Sequence, residues 1–239
     1  MVKHFSKEKV LKMFPAKGKT NKTMKIYTKI IKPLIFGSVL SLSLSSCFTS
    51  DYYEPTPDPT PIGYQKIFND EFNRDNYGWG FNDYYSDAYG EVYNGMYSLS
   101  YYGPSGNSYS STIPVNFNSN RDFLIQTGIS SNYAMALNFG ASSKDYGYSF
   151  FIDADGYFAV YDEGTANIAP RTLIDWKASN AIDYDWNDIE IEQIGNRWYG
   201  YINGMQVFEL PAYQLYGSDV GFLILGGTEG YADYLTVKW

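Results

Sequence analysis

Residues 186–208 read WNDIEIEQIGNRWYGYINGMQVF, and this stretch decides the fold class. Apolar and polar residues alternate along it, which is the pattern of strands with one face turned to a core. Two turn pairs, Gly195-Asn196 and Asn203-Gly204, interrupt the alternation. Such pairs tolerate the positive φ values that a two-residue hairpin turn requires. The stretch therefore predicts three antiparallel strands joined by two tight hairpins.

The same pattern recurs along the chain. Asn94-Gly95 and Asp155-Gly156 each stand between two runs rich in β-branched and aromatic residues. Between Tyr64 and Trp239 no window combines helical periodicity with helix caps. About a dozen short strands can bury their apolar faces by forming two antiparallel sheets that pack on each other, as in a sandwich of the jelly-roll type. We therefore predict an all-β fold, with residues 64–239 as one domain.

The composition limits the chemistry available to this domain. Ten of the 18 basic residues, but one of the 26 acidic residues, lie in residues 1–47, so the rest is strongly acidic. We expect no nucleic-acid partner for that portion, because phosphates would be repelled across most of its surface. The single His is His4 and the single Cys is Cys47. Beyond Cys47 the chain lacks imidazole and thiol, which excludes Ser–His and Cys–His catalysis, zinc fingers and disulfides.

An export signal explains the basic N-terminal part. The apolar run 34–44 follows several Lys residues and has the length of a signal-peptide core, too short to span a bilayer as a stable helix. Leu44-Ser45-Ser46-Cys47 resembles the lipobox of bacterial lipoproteins, which implies that Cys47 carries lipid. We predict a lipoprotein signal peptide over 1–46, with Met24 as an alternative start. The other interpretation is a short anchor helix with a chance Cys.

Residues 47–63 are predicted to be the lipidated Cys and a linker. Alternating Pro and Thr residues favour extended polyproline II, because Pro donates no hydrogen bond to a sheet. The acidic residues after Cys47 resemble the signals that send some Bacteroidetes lipoproteins outward. The predicted localisation is the outer membrane or cell surface, after export by the general secretory pathway, with the membrane as a partner through the N-terminal lipid.

Several stretches of the chain, two of them within residues 186–208, resemble concanavalin A-like (laminin G-like) jelly-roll domains. They are an opening strand IFNDEF at 67–72 followed by Trp79, the hairpin WNDIEI at 186–191 with YING at 201–204, and a closing pair at 220–222 and 232–237. The resemblance covers nearly all of residues 64–239 and implies the same fold. That fold hosts lectins, glycosidases, adhesion modules and structural domains, so it does not fix an activity.

Three acids on one predicted strand are weak catalytic candidates. Asp188, Glu190 and Glu192 share a strand face, and retaining glycosidases need two neighbouring carboxyl groups. The laminarinase-like family of this fold carries its acids on one strand in the order Glu-x-Asp-x-Glu or Glu-x-Asp-x-x-Glu. The order here is Asp-x-Glu-x-Glu, so the central Asp is missing. We expect the three acids to face solvent on the outer sheet, with the neighbouring Ile residues inward.

Aromatic residues in the segment 79–109 are the candidate ligand-binding residues. Sugar rings stack on aromatic faces, and this segment places aromatics among Gly, Ser and Asn. The candidates are Trp79, Tyr84, Tyr85, Tyr101 and Tyr102, of which Tyr101 and Tyr102 cannot both face outward from one strand. The competing interpretation is that these tyrosines fill turns and edge strands.

The expected function is binding of carbohydrate or another surface ligand without catalysis. The alternatives are a glycoside hydrolase or lyase that uses Asp and Glu, and a structural accessory lipoprotein of an envelope assembly. No cofactor is expected, but calcium is left open, because several carboxylates offer oxygen ligands. These are Asp153, Asp155, Asp162, Glu163 and the group Asn69-Asp70-Glu71.

Overall fold

The computed structural model describes residues 63–116, 118, 120–143 and 145–239. These residues form fifteen strands, and no helix occurs among them. The strands are β1 (Lys66–Asp70), β2 (Phe81–Asp83), β3 (Ala88–Tyr93), β4 (Met96–Tyr101), β5 (Ser108–Pro114), β6 (Phe123–Ser131), β7 (Ala134–Ala141), β8 (Asp145–Asp153), β9 (Tyr157–Thr165), β10 (Arg171–Ala178), β11 (Asn187–Ile194), β12 (Arg197–Ile202), β13 (Met205–Pro211), β14 (Asp219–Leu225) and β15 (Thr228–Lys238).

Two antiparallel sheets pack face to face. The nine-stranded sheet has the order β13-β12-β11-β6-β15-β4-β3-β2, and β1 also pairs with β15. The six-stranded sheet has the order β10-β9-β8-β7-β14-β5. All the strand pairs described are antiparallel. The predicted all-β sandwich is therefore confirmed.

The predicted turn pairs join adjacent strands as expected. Asn94 and Gly95 have φ values of 54° and 76°, and Tyr93 pairs with Met96 across the turn. The turn at Asn203 and Gly204 has φ values of 50° and 74°. Both residues of these two pairs adopt the left-handed conformation, which is why Asn and Gly stand there, whereas in the other two pairs Gly156 and Gly195 alone have a positive φ.

The core between the sheets is rich in aromatic rings. At one end, Trp79 lies 5.0 Å from Tyr97 and 5.7 Å from Phe222, measured between ring centroids. The Trp79 indole N–H donates to Asp70 Oδ2 at 2.9 Å, so the polar atom of the buried ring has a partner. At the other end, Trp198 is fully buried beside Tyr148.

The outer faces of the two sheets differ. Along β11 and β12 buried and accessible residues alternate, so the nine-stranded sheet turns a polar face outward. Along the inner strands β7, β9 and β14 of the six-stranded sheet nearly every residue is buried on both faces, whereas the edge strands β10 and β5 are more accessible. A second apolar cluster occupies the outer face of this sheet, formed by Ala134, Ala136, Phe151, Ala159, Tyr161, Leu223 and Leu225.

The predictions for the N-terminal part concern residues that the structure does not describe. The signal peptide, the lipidation of Cys47 and the Pro-rich linker fall within residues 1–62 and so lie outside the described residues. Within the described part of the chain there is no helix that is both long enough and apolar enough to cross a bilayer.

Candidate functional site

Two of the five predicted ligand-binding aromatics lie in the core. Trp79 is 1% exposed and Tyr101 is 6% exposed. The ring of Trp79 is enclosed by Phe72, Tyr97 and Phe222, and Tyr101 points inward from β4. Neither ring can present a face to a ligand, so these two assignments are corrected. Alternation on β4 turns Tyr101 inward and leaves Tyr102, just beyond the strand, exposed.

Tyr84 and Tyr85 project from the turn between β2 and β3. They are 78% and 76% exposed, and their ring centroids lie 6.3 Å apart in an edge-to-face arrangement. The Asp83 carboxylate fixes this turn, since it accepts hydrogen bonds from the Ser86 N–H at 3.3 Å and the Tyr109 hydroxyl at 3.4 Å. The hydrogen bonds from Ser86 lower the pKa of Asp83. Asp83 thus serves the turn itself.

Tyr89 and Tyr102 form a second pair on the outer face of the nine-stranded sheet. Their ring centroids lie 6.2 Å apart, and the Tyr102 hydroxyl donates to Glu229 Oε1 at 2.7 Å. That hydrogen bond raises the pKa of Tyr102. The Tyr102 N–H donates to the Asp87 carbonyl at 2.9 Å, which ties the end of β4 to the turn that carries Tyr84 and Tyr85.

Strand register extends this pair into a larger surface. Tyr89 of β3 lies opposite Ser100 of β4, and Ser100 lies opposite Glu229 of β15. Two residues further along β15, Tyr231 is 37% exposed on the same face. We call this the tyrosine surface, formed by Tyr84, Tyr85, Tyr89, Tyr102 and Tyr231.

Sequence reasoning missed Glu229 and Tyr231. The alternation of residues 228–231 does place these two side chains on one face of a strand. No local pattern, however, indicates that β15 pairs with β4, which precedes it by about 130 positions. The contribution of β15 to the surface therefore follows only from the three-dimensional pairing.

The three acids of β11 face outward on the nine-stranded sheet, as expected. Ile189 and Ile191 are fully buried between them. Each carboxylate accepts a hydrogen bond: Asp188 from the Tyr234 hydroxyl at 3.0 Å, Glu190 from the Gln126 amide, and Glu192 from the Tyr64 hydroxyl at 3.0 Å.

This acidic row is held by a hydrogen-bonded network across neighbouring strands. Lys238 Nζ donates to Gln126 Oε1 at 2.6 Å, and the Gln126 amide donates to Glu190 in turn. Partial burial raises the pKa of Glu190, and the Gln126 hydrogen bond opposes that shift. The arrangement supports a solvated face that links β15, β6 and β11 better than it supports a catalytic pair.

Three of the carboxylates considered for calcium have internal roles. Asp153 accepts from the backbone N–H groups of Asp155 and Tyr157, so it caps the turn between β8 and β9. Asp162 forms an ion pair with Arg171 at 3.0 Å. Glu163 is buried and accepts from the Ser149 hydroxyl. Among the residues that the structure describes, no group of three or more His, Cys, Asp or Glu side chains fits a metal ion.

Among known proteins, this chain is similar in fold to several solved structures. No protein-family model and no curated protein matches the chain. Among solved structures, the CBM2 module of Lactobacillus casei BL23 phage J-1 evolved Dit has a TM-score of 0.52 and 13% identity, covering 74% of this chain and 96% of that one. At these values the likeness supports the sandwich fold.

Two further structures have lower scores. The carbohydrate-binding module CBM66 of Bacillus subtilis has a TM-score of 0.43 and 16% identity, covering 74% of this chain and 96% of that one. A GlcNAcα1-4Gal-releasing endo-β-galactosidase of Clostridium perfringens has a TM-score of 0.47 and 13% identity, covering 77% of this chain and 65% of that one.

Proposed function

We propose that this chain is a cell-envelope lipoprotein whose β-sandwich binds carbohydrate on the tyrosine surface without transforming it. The observation that carries the proposal is the pairing of exposed rings, Tyr84 with Tyr85 and Tyr89 with Tyr102, beside the Glu229 carboxylate. Aromatic faces stack on the apolar faces of sugar rings. A carboxylate beside them accepts hydrogen bonds from sugar hydroxyls.

The strand that carries Tyr89 suits binding. Tyr89 stands on β3, which is paired on one side with β2 and on the other with β4. Side chains on paired strands are held more firmly than side chains on loops, and a tyrosine loses little conformational entropy on binding. The strongly acidic composition beyond Cys47 favours neutral over anionic glycans, because anionic chains would be repelled.

A fold neighbour adds support. The phage module with a TM-score of 0.52 is described as a CBM2 module, a carbohydrate-binding class by name. At 13% identity that likeness concerns the fold. It agrees with a binding role, and the tyrosine surface supplies the argument specific to this chain.

Anchoring through Cys47 completes the proposal. A lipid on Cys47 and the linker 47–63 would hold the sandwich at the outer membrane or cell surface. The test is Cys47→Ala, which should abolish labelling with radioactive palmitate and move the protein from the membrane fraction to the soluble fraction. Wild-type protein that incorporates no palmitate, with a variant that stays in the membrane, would contradict the anchor.

The binding proposal is tested with the whole chain purified in a non-glycosidic detergent, because maltoside head groups would compete. On a glycan array we expect at least one neutral glycan to bind, and Tyr102→Ala to reduce that signal. The control is Tyr184→Ala, which removes a fully exposed tyrosine from a loop outside the tyrosine surface.

The other two functions give different results in the same assay. Release of reducing sugar that is lost in Glu190→Gln would indicate a glycoside hydrolase and overturn the non-catalytic proposal. No binding and no release would favour a structural accessory lipoprotein.

A further inference from the structure

A polar pocket lies on the outer face of the nine-stranded sheet, at the end of β3 opposite to Tyr84 and Tyr85. Its volume is about 510 Å³, and it is lined by Asn69, Glu71, Asn73, Asn94, Asp233 and Tyr234. The turn Asn94-Gly95 and the turn that carries Tyr84 lie at opposite ends of β3. Since β3 has six residues, these two turns are separated by about 17 Å along the strand, while Tyr231 of the tyrosine surface lies two residues before Asp233 on β15.

The pocket exists because β15 changes its neighbour. Its first part, Thr228–Ala232, pairs with β4, and its last part, Leu235–Lys238, pairs with β1. A register shift on β15 separates the two parts, where Tyr234 lies opposite Gly128 of β6. Ala232 and Leu235 are buried, whereas Asp233 and Tyr234 between them are accessible. This β-bulge therefore turns two consecutive side chains toward the outer face, beside the gap between β1 and the β3–β4 hairpin.

One wall of the pocket is held in place. The Tyr234 hydroxyl donates to Asp188 Oδ1 at 3.0 Å. Its ring also lies close to Gly128, where an added Cβ would come within 3.2 Å of Tyr234 Cε1. Glycine at position 128 thus leaves room for the ring to lie close to β6.

Several polar groups of the pocket are available to a ligand. Within the described part of the chain, the side chains of Asn73, Asn94 and Asp233 make no hydrogen bond, whereas Asn69 donates to Glu71 Oε1 at 3.3 Å. An amide side chain both donates and accepts, and a carboxylate accepts. Together they match the hydroxyl groups of a polyol. Two carboxylates, Glu71 and Asp233, line the pocket against a nearby cation, Lys66, whose Nζ donates to Asn69 Oδ1 at 3.2 Å, so the balance of charge disfavours anionic ligands such as phosphates or uronic acids.

We propose that this pocket is a second carbohydrate site, which binds one neutral sugar residue by its hydroxyl groups. Its volume falls within the range of about 300–1,000 Å³ that small-molecule sites occupy. The pocket would bind its ligand mainly through hydrogen bonds, since Tyr234 is the one aromatic residue among those that line it. The tyrosine surface would bind mainly by stacking. The two sites therefore differ in the ligand feature that each recognises.

The test follows the side-chain amide signals of Asn73 and Asn94 by ¹⁵N NMR of the whole chain in non-glycosidic detergent. The probes are glucose, galactose, mannose and N-acetylglucosamine, with glucuronate and calcium chloride as rival ligands. We expect at least one neutral sugar to shift these signals with a saturable titration, and glucuronate to shift them less. Asp233→Ala should raise the Kd about tenfold, as expected for loss of a hydrogen bond to a charged group.

The matched control is Asp185→Ala, which removes an exposed aspartate from the loop before β11 and should leave the titration unchanged. Thermal unfolding of both variants should match the wild type, because both side chains are exposed. The proposal would be overturned if the Asn73 and Asn94 signals responded to none of the sugars or responded to calcium instead. It would also be overturned if the titration gave the same Kd in Asp233→Ala as in the wild type. If Tyr102→Ala abolished the shifts of the Asn73 and Asn94 signals, the pocket would not be a separate site. If no glycan bound on the array but these signals still shifted with a sugar, the tyrosine surface would be contradicted and the pocket would be supported.

Discussion

The outer face of the nine-stranded sheet is polar and accessible, whereas the outer face of the six-stranded sheet is apolar and largely buried. On the nine-stranded sheet the outer face carries the tyrosine surface and the acidic row of β11, and Tyr84 is 78% exposed beside it. On the six-stranded sheet the corresponding face carries Phe151, Tyr161 and small residues, and Phe151 is fully buried. Both sheets send their remaining side chains into one shared core.

This difference assigns different tasks to the two sheets. A face whose apolar groups are buried contributes to stability, since burial of apolar surface is the main favourable term in folding. A face with exposed rings beside carboxylates leaves its polar groups open to a ligand. The molecule thus separates a stabilising sheet from a sheet that we propose to bind carbohydrate, and the predictions below test that separation.

The largest expected effect is on the six-stranded sheet. Phe151→Ala removes a buried ring that lies 6.0 Å from Tyr161 and 5.8 Å from Trp176. Such truncations cost about 3–5 kcal/mol of the free energy of unfolding. Urea unfolding should show this loss, while Tyr84→Ala, as the control from the other face, should change stability by less than about 0.5 kcal/mol. A loss below about 1 kcal/mol for Phe151→Ala would mean that this face is not buried in solution.

The second effect depends on pH and on Glu163. Burial raises the pKa of Glu163 to about 7, the charge of Asp162 adds to this, and the Ser149 hydrogen bond opposes it. In the unfolded chain the pKa returns to its ordinary value of 4.5. Between these values the native state binds more protons than the unfolded state, so the free energy of unfolding falls as the pH rises from about 5 to about 7.

The matched variant for this effect is Glu163→Gln, which keeps the shape and loses the titration. In the wild type, Glu163 should make the free energy of unfolding at pH 5 greater than that at pH 8 by up to about 3 kcal/mol. Urea unfolding at the two pH values measures this difference, which should be smaller in the variant. Equal pH dependence in both proteins would show that Glu163 is not buried as described.

The third effect belongs to the tyrosine surface. Tyr102→Ala should weaken binding of an array-selected glycan by about 1–3 kcal/mol, by analogy with the stacking of bases on aromatic side chains. Folding should survive, because a residue that is 56% exposed leaves no core cavity. Isothermal titration gives the affinity and thermal unfolding gives the stability. Unchanged affinity together with lost stability would make Tyr102 a packing residue.

The smallest effect is expected in the acidic row. Glu192 accepts hydrogen bonds from the hydroxyls of Tyr64 and Tyr201, and the carbonyl of a glutamine can still accept one of them. Glu192→Gln should therefore change the free energy of unfolding by less than about 0.5 kcal/mol and leave glycan affinity unchanged. A loss of hydrolytic activity in this variant would instead identify Glu192 as catalytic.

The sequence predicted the features of the fold that depend on neighbouring residues. The turn pair Asn94-Gly95 and the alternation around Ile189 predicted hairpins and an outward acidic row, because turn conformation and strand faces depend on residues a few positions apart. The burial of both faces of the inner strand β14 was not predicted, although the continuous apolar run Phe222-Leu223-Ile224-Leu225 is a local pattern that indicates it.

The candidate site was only partly predictable, because its members meet through distant pairing. Trp79 and Tyr84 lie in one tyrosine-rich segment, and composition treats them alike, but Asp70 and Phe222 enclose Trp79 while Tyr84 projects from a turn. Glu229 reaches Tyr102 only because β15 pairs with β4. The polar pocket likewise depends on where β15 exchanges β4 for β1, and no short stretch of sequence encodes this exchange.

The most direct test of the central claim is to locate a bound glycan. The measurement is the set of intermolecular NOEs between the ring protons of an array-selected glycan and the aromatic protons of selectively labelled protein. We predict NOEs to Tyr89 and Tyr102, and none to Tyr184. NOEs to Phe151, Tyr161 or Trp176 would place the ligand on the six-stranded sheet and contradict the proposed separation between a stabilising sheet and a binding sheet.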